Sequence, residues 1–156
     1  YYFMKSKLLF LFSLMALALI SPVFAQQENA DAIVGVWETG NGKAHIQITK
    51  SGKYFYGRIV WLRDPLTEQG KPKVDKNNPD PALKSQPIMG LRLLKSFEYM
   101  GDNSWEDGTI YDAENGKTYQ CKLSMDGNQK LNVRGFVGIS LMGRTDVWKR
   151  VEPAKK

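Results

Sequence analysis

The sequence predicts an all-β fold, an eight-stranded up-and-down antiparallel barrel preceded by an N-terminal signal peptide. Three observations predict it. Beyond residue 30 apolar and polar residues alternate with a period of two, with almost no helical period. Between the runs stand Gly40-Asn41-Gly42, Ser51-Gly52, Glu114-Asn115-Gly116 and Asp126-Gly127-Asn128, residues that tolerate the positive φ of tight hairpin turns. Short connections make neighbours antiparallel, and closing eight such strands on themselves removes the exposed edges of an open sheet.

The expected strands cover residues 33–39, 44–50, 54–63, 91–100, 105–112, 117–125, 130–139 and 144–151. A β-sandwich is the alternative, but it wants several long crossovers and only one long connection is visible. A barrel of eight strands has an interior just wide enough to be filled by side chains or to hold one small ligand. The long connection, residues 64–90, carries five of the seven prolines, and repeated proline denies donors to a ladder. A loop of this length is either a lid over a site or a tolerated insertion. A short helical turn is expected near residues 81–85, and Pro87-Ile88-Met89 can tuck back onto the barrel.

The ends and composition narrow the function classes. Met4-Lys5-Ser6-Lys7 is a basic start, Leu8 to Ile20 is apolar apart from Ser13, and Val23-Phe24-Ala25 is a small-x-small cleavage pattern. In that order these make a secretory signal peptide, with an apolar part too short for an ordinary membrane span. Residues 1–25, including the upstream Tyr1-Tyr2-Phe3, are read as signal and residues 26–156 as one barrel domain. The expected location is periplasmic or secreted, without a membrane span, and no cysteine follows the cleavage point to take a lipid. The net charge of +6 is spread along the chain, so a solvated surface fits better than a nucleic-acid face.

Cys121 and His45 are the only residues of their kinds. A single thiol cannot form an internal disulfide framework, and its alternation with Tyr119, Leu123 and Met125 makes it a buried structural cysteine. His45 alternates against Ile46 and Ile48 and is expected on the outer face. Gly138-Ile139-Ser140-Leu141-Met142-Gly143 has one residue too many for a nucleophile elbow. Asp75-Lys76-Asn77-Asn78-Pro79-Asp80 departs from calcium-loop spacing, and Asx turns account for the same residues. No catalytic residue, metal or cofactor is assigned.

Gly35-Val36-Trp37 on the first strand resembles the Gly-x-Trp signature of lipocalins and other calycin-type barrels. The resemblance implies a tryptophan closing one end of the interior and a basic residue of the last strand lying across it. Arg144, Lys149 and Arg150 are available, and Arg150, the latest, is the expected partner. A longer ordered set includes Asp64-Pro65, Gly108-Thr109-Ile110-Tyr111-Asp112, Leu131-x-Val133-Arg134-Gly135 and Gly143-Arg144 before Trp148. That set is similar to a family of small exported bacterial proteins designated a domain of unknown function. It implies a calycin-like barrel and brings no activity with it.

Aromatic residues are the most suggestive chemistry, because Tyr and Trp can both enclose an apolar ligand and orient it. Trp37, Trp61, Tyr99, Trp105, Tyr111, Tyr119, Arg134 and Trp148 are the candidate ligand contacts; alternation sets Trp61 inward and puts Tyr111 on one face with Trp105. Asp112, Arg144 and Asp146 are candidate polar anchors, as Asp112–Arg134 or Asp146–Arg144 pairs, since buried charges need partners. The expected function is binding of a small apolar or amphipathic molecule by an exported protein, gated by residues 64–90. A filled barrel acting as an envelope interaction module is the alternative, and an enzyme with a carboxylate–arginine site at the mouth is the third reading.

Overall fold

A computed structural model describes residues 29–153; the signal-peptide reading of residues 1–25 lies outside them. After a 3-10 turn, Ala30–Ile33, the chain forms β1 Gly35–Glu38, β2 Ala44–Ser51, β3 Tyr54–Leu62 and β4 Arg92–Gly101. It continues through β5 Ser104–Asp112, β6 Lys117–Asp126, β7 Lys130–Phe136 and β8 Arg144–Arg150. Each strand pairs with its sequence neighbour and β8 returns to β1, closing an antiparallel barrel in the order 1 to 8. Among the described residues no helix is long and apolar enough to cross a membrane.

Alternation delivers Trp37, Ile46, Ile48, Phe55, Phe97, Trp105, Cys121, Leu123, Leu131, Val133 and Trp148 to the buried interior. The lower half of the barrel is therefore solid. Phe97 lies across Gly108, and Trp105 packs edge-on to Phe55, ring centroids 6.3 Å apart, and against Tyr99 at 5.1 Å. The two-residue β4–β5 turn, Asp102-Asn103, takes φ of 50° and 55°, a type I′ geometry whose twist matches the strands it joins.

The seam between β1 and β8 is short, with only Trp37 opposite Arg150 and Glu38 opposite Lys149. It is closed by side chains at the base. Arg150 lies over the Trp37 ring at 4.2 Å, the partner expected from its place in the last strand. Its guanidinium donates to the carbonyls of Ala32 at 2.6 Å, Val34 at 3.1 Å and Asn128 at 2.7 Å. Trp37 Nε1 donates to Ile33 O and Trp105 Nε1 to Ala30 O, at 2.9 and 3.1 Å. Carbonyls at the end of a helical turn have no partner within it, so the 3-10 turn becomes a plug held from three strands. Gly35 permits this: its φ is +138°, and an added Cβ would stand 2.7 Å from Arg150 Nη1.

Two strands depart from the expected boundaries by more than one residue. β1 begins two residues later than alternation suggests because the preceding segment is the plug. β7 stops at Phe136 rather than continuing to residue 139, because Gly138 takes φ +76° and Arg134 draws the carbonyls of Ser140 and Leu141 back onto the sheet.

Arg150→Ala removes a charged donor from three carbonyls and is expected to cost about 3 kcal/mol in urea unfolding. Arg150→Lys keeps the charge without the fork and recovers only part of that loss.

Candidate functional site

At the end opposite the plug the inward-facing positions change character. Register places Ala44 opposite Leu62, Ile110 opposite Tyr119, Gly135 opposite Arg144 and Val133 opposite Asp146. Arg144 and Asp146 are on the same face of β8 as buried Trp148, yet both are solvent-exposed; Ile110, Asp112, Tyr119 and Gly135 are half-buried. Solvent thus reaches inner-face positions around this mouth, or cup, where apolar Ala44, Leu62 and Ile110 stand beside polar Tyr119, Arg144 and Asp146.

The polar groups differ in their commitments. Asp146 Oδ2 accepts from Trp148 Nε1 at 2.7 Å and from Gly40 N at 3.2 Å, fastening the β1–β2 turn to β8. Asp112 is occupied in capping, accepting from Glu114 N and Asn115 Nδ2 at 2.8 Å each. The same Asn115 amide donates to Tyr119 Oη at 3.0 Å, leaving the phenol proton available to a ligand. Among the described residues Arg144 makes no ion pair, so it is the uncommitted cation of the cup.

Of the sequence-predicted residues, Tyr119, Asp112, Arg144 and Asp146 come together at the mouth, with Trp148 beneath them. Trp37, Trp105 and Tyr99 lie in the base, away from the cup. Trp61 does not face inward as alternation suggests. A register shift sets His45 opposite Trp61 and Ile46 opposite Ile59, turning Trp61 onto the outer face against the His45 ring, 4.4 Å between centroids. Tyr111 does not share a face with Trp105, because the strand breaks register between them at Asp107, φ 60°. Arg134 is likewise outside, donating to Ser140 O at 2.7 Å and Thr145 Oγ1 at 2.8 Å. Neither the Asp112–Arg134 nor the Asp146–Arg144 ion pair forms.

Two loops frame the mouth. Residues 64–90 form a docked flap, with a 3-10 turn at Pro81–Leu83 and Ile88 packed against the core. Asp75, 1 % exposed, accepts from Tyr111 Oη at 2.8 Å and Asn78 Nδ2 at 2.7 Å. Asn77 Nδ2 donates to Glu114 O at 2.8 Å, and its backbone carbonyl crowds Gly116, φ +73°, where no Cβ would fit. Asn78 and Asp80 cap Asp80 N and Ala82 N, the Asx-turn role expected of this segment. The flap thus grips the β5–β6 turn and the outer rim, leaving the inner positions exposed. Across the mouth the β7–β8 loop holds Val137, Ile139, Leu141 and Met142 outward at 61–85 % exposure. Sequence reading weighed Asp75 only within the calcium-loop and Asx-turn readings of residues 75–80, and residues 138–143 only as a nucleophile elbow, and so missed the Asp75–Tyr111 latch and the apolar surface of this loop. The loop's run of large apolar residues between two glycines was the available signal.

Burial pushes the Tyr111 hydroxyl up to about 12, with the Asp75 hydrogen bond adding to it, so the latch keeps its proton well into alkaline pH. Burial also pushes the Cys121 thiol up to about 12, which makes it a packing group rather than a nucleophile.

The comparisons with known proteins agree with this geometry. Residues 35–150 match the family described as "Uncharacterized protein conserved in bacteria (DUF2147)". The chain belongs to that family. No curated protein matches it. Among solved structures it is similar to a protein from the human pathogen Helicobacter pylori that belongs to the lipocalin family. The two share 26 % identity over 76 % of this chain and 82 % of that one, with a TM-score of 0.67. The DUF2147 domain here is therefore a lipocalin-like barrel, from the Gly35-x-Trp37 signature to Arg150, and that fold suggests a small-molecule binding role.

Tyr111→Phe leaves one Asp75 oxygen without its donor. Amide exchange across residues 73–88 should rise about ten- to a hundredfold, the equivalent of a charge-assisted hydrogen bond, with the β-strands unchanged. A second expectation concerns pH. Both raised groups contribute stability that is complete below their ordinary values, near 9 for the thiol and 10 for the phenol, and is lost as pH climbs toward 12. The melting temperature should fall across that window, and Cys121→Ala should fall less steeply from pH 9.

Proposed function

We propose that this protein binds a small amphipathic molecule in the barrel mouth, polar end toward Arg144 and Tyr119, after export to the cell envelope. One observation carries the binding reading: inward-facing positions at the open end are accessible to solvent, while those at the base are sealed. A ligand therefore sits in the upper part of the barrel and does not reach Trp37 or Trp105. Ile110, Leu62 and Ala44 supply its apolar wall. Arg144 offers a planar pair of donors suited to a carboxylate or a phosphate. Apolar walls with few directed polar groups are the usual composition of such sites. Export rests on the order of basic, apolar and small residues through Ala25.

The β7–β8 loop supports a second reading, an envelope interaction module. Its four exposed apolar residues are the kind of surface that marks contact with a partner.

The test uses Trp148, which sits beneath the cup, as reporter. In a Trp61→Phe background, which removes the surface emitter, titration with medium-chain fatty acids should give a saturable fluorescence change. Arg144→Gln should weaken it about tenfold, the scale of one charge-assisted contact. The absence of a saturable response to fatty acids and comparable amphiphiles would overturn the carrier reading and leave the interaction module. Detection of a mature chain beginning at Gln26 in the envelope fraction of a bacterial host would support export; an uncleaved chain retained in the cytoplasm would refute it.

A further inference from the structure

A second concavity, on the outside of the barrel and remote in character from the mouth, has no part in the reading above. It is a shallow, open depression of about 200 Å³ lined by Thr49, Ser51, Tyr56, Gly57, Arg58 and Arg92. The β3–β4 ladder shifts register on both sides of Gly57, and such irregularities bend a strand and re-aim its side chains. The shift sets Arg58 directly opposite Arg92. Like charges in that position are destabilising unless something neutralises them. No carboxylate lines the depression, and neither arginine makes an ion pair among the described residues.

The surrounding groups are donors. Arg92 is held over the Tyr56 ring, 5.0 Å from its centroid, which fixes the plane of its guanidinium. Thr49 stands opposite Tyr56 on the neighbouring strand. Thr49, Ser51 and Tyr56, each bearing a hydroxyl, line the depression together with the two arginines. Two planar forks and three hydroxyls meeting from three strands suit a tetrahedral oxyanion better than a planar one. A depression of about 200 Å³ has room for a phosphate together with a small substituent.

We propose that this depression is a binding site for a phosphate-bearing group, held by Arg58 and Arg92 with Tyr56, Thr49 and Ser51. The group is a soluble phosphate ester or the headgroup of a phospholipid; the recognition chemistry is the same. An occupant would neutralise the opposed arginines, so the bound anion stabilises β3 against β4.

Calorimetric titration of the whole chain with inorganic phosphate and with glycerol 3-phosphate tests the site. Saturable one-to-one binding is expected, weakened about tenfold or more in Arg58→Gln/Arg92→Gln. Lys130→Gln is the charge control, because Lys130 also faces a cation, Lys149, across its ladder; it should bind as the unaltered chain does. Arg58→Gln alone should melt no lower than the unaltered chain in phosphate-free buffer, yet lose the rise in melting temperature that phosphate produces. Flotation with phosphatidylglycerol vesicles separates the two sources. Co-flotation that the double variant abolishes assigns a lipid headgroup, and binding of the soluble esters alone assigns a soluble ligand. No saturable binding of either phosphate probe together with no co-flotation, or equal affinity in the double variant, would overturn the proposal.

Discussion

The fork of Arg150 is the constraint on which the rest of the molecule depends. β1 and β8 share only two opposed residue pairs, too few for a ladder to close a barrel by itself. One guanidinium stacked on Trp37 and bonded to three carbonyls ties the first strand, the last strand, the N-terminal turn and the β6–β7 turn into one base. Burial lowers the Arg150 pKa, but an arginine stays charged in proteins, so the donor remains. Gly35 belongs to the same device, because any side chain there would displace the guanidinium.

A sealed base decides where chemistry can occur. Trp37, Trp105, Phe55 and Phe97 fill the lower interior, so the proposed ligand is confined to the mouth, where polar Tyr119, Arg144 and Asp146 join apolar Ala44, Leu62 and Ile110. There the carboxylates are already engaged. Asp146 fastens the seam and Asp112 caps a turn, and neither points to acid–base work. Arg144 and the Tyr119 hydroxyl are what remains for recognition. The flap grips the outer rim through a buried carboxylate, whereas the β7–β8 loop presents its apolar residues to solvent. The two sides of the mouth are thus built on opposite principles.

Much of this was legible from residue order. Strand number, hairpin positions, the outward His45, the buried Cys121 and Arg150 across Trp37 all followed from period-two alternation, turn residues and the Gly-x-Trp resemblance. Side assignments failed at Trp61 and Tyr111, in both cases past a register break. One irregular residue reverses every later side chain on a strand, and Asp107 carries no obvious mark of the positive φ it adopts. Arg134 was misread for a different reason. An arginine beside buried Val133 suggests an ion pair, whereas its partners are carbonyls of a loop whose path alternation does not describe.

Residue order by itself determined the barrel and its antiparallel order, because these depend on local periodicity and turn geometry, and the Gly-x-Trp resemblance implied that Trp37 closes one end under a basic residue of the last strand. Tertiary structure alone decided that the turn Ala30–Ile33 fills the sealed end, that Asp75 meets Tyr111 across 36 residues of chain, and that Arg58 stands against Arg92. Those outcomes rest on register and bulges, which are set by how neighbouring strands pack rather than by the pattern within any one of them.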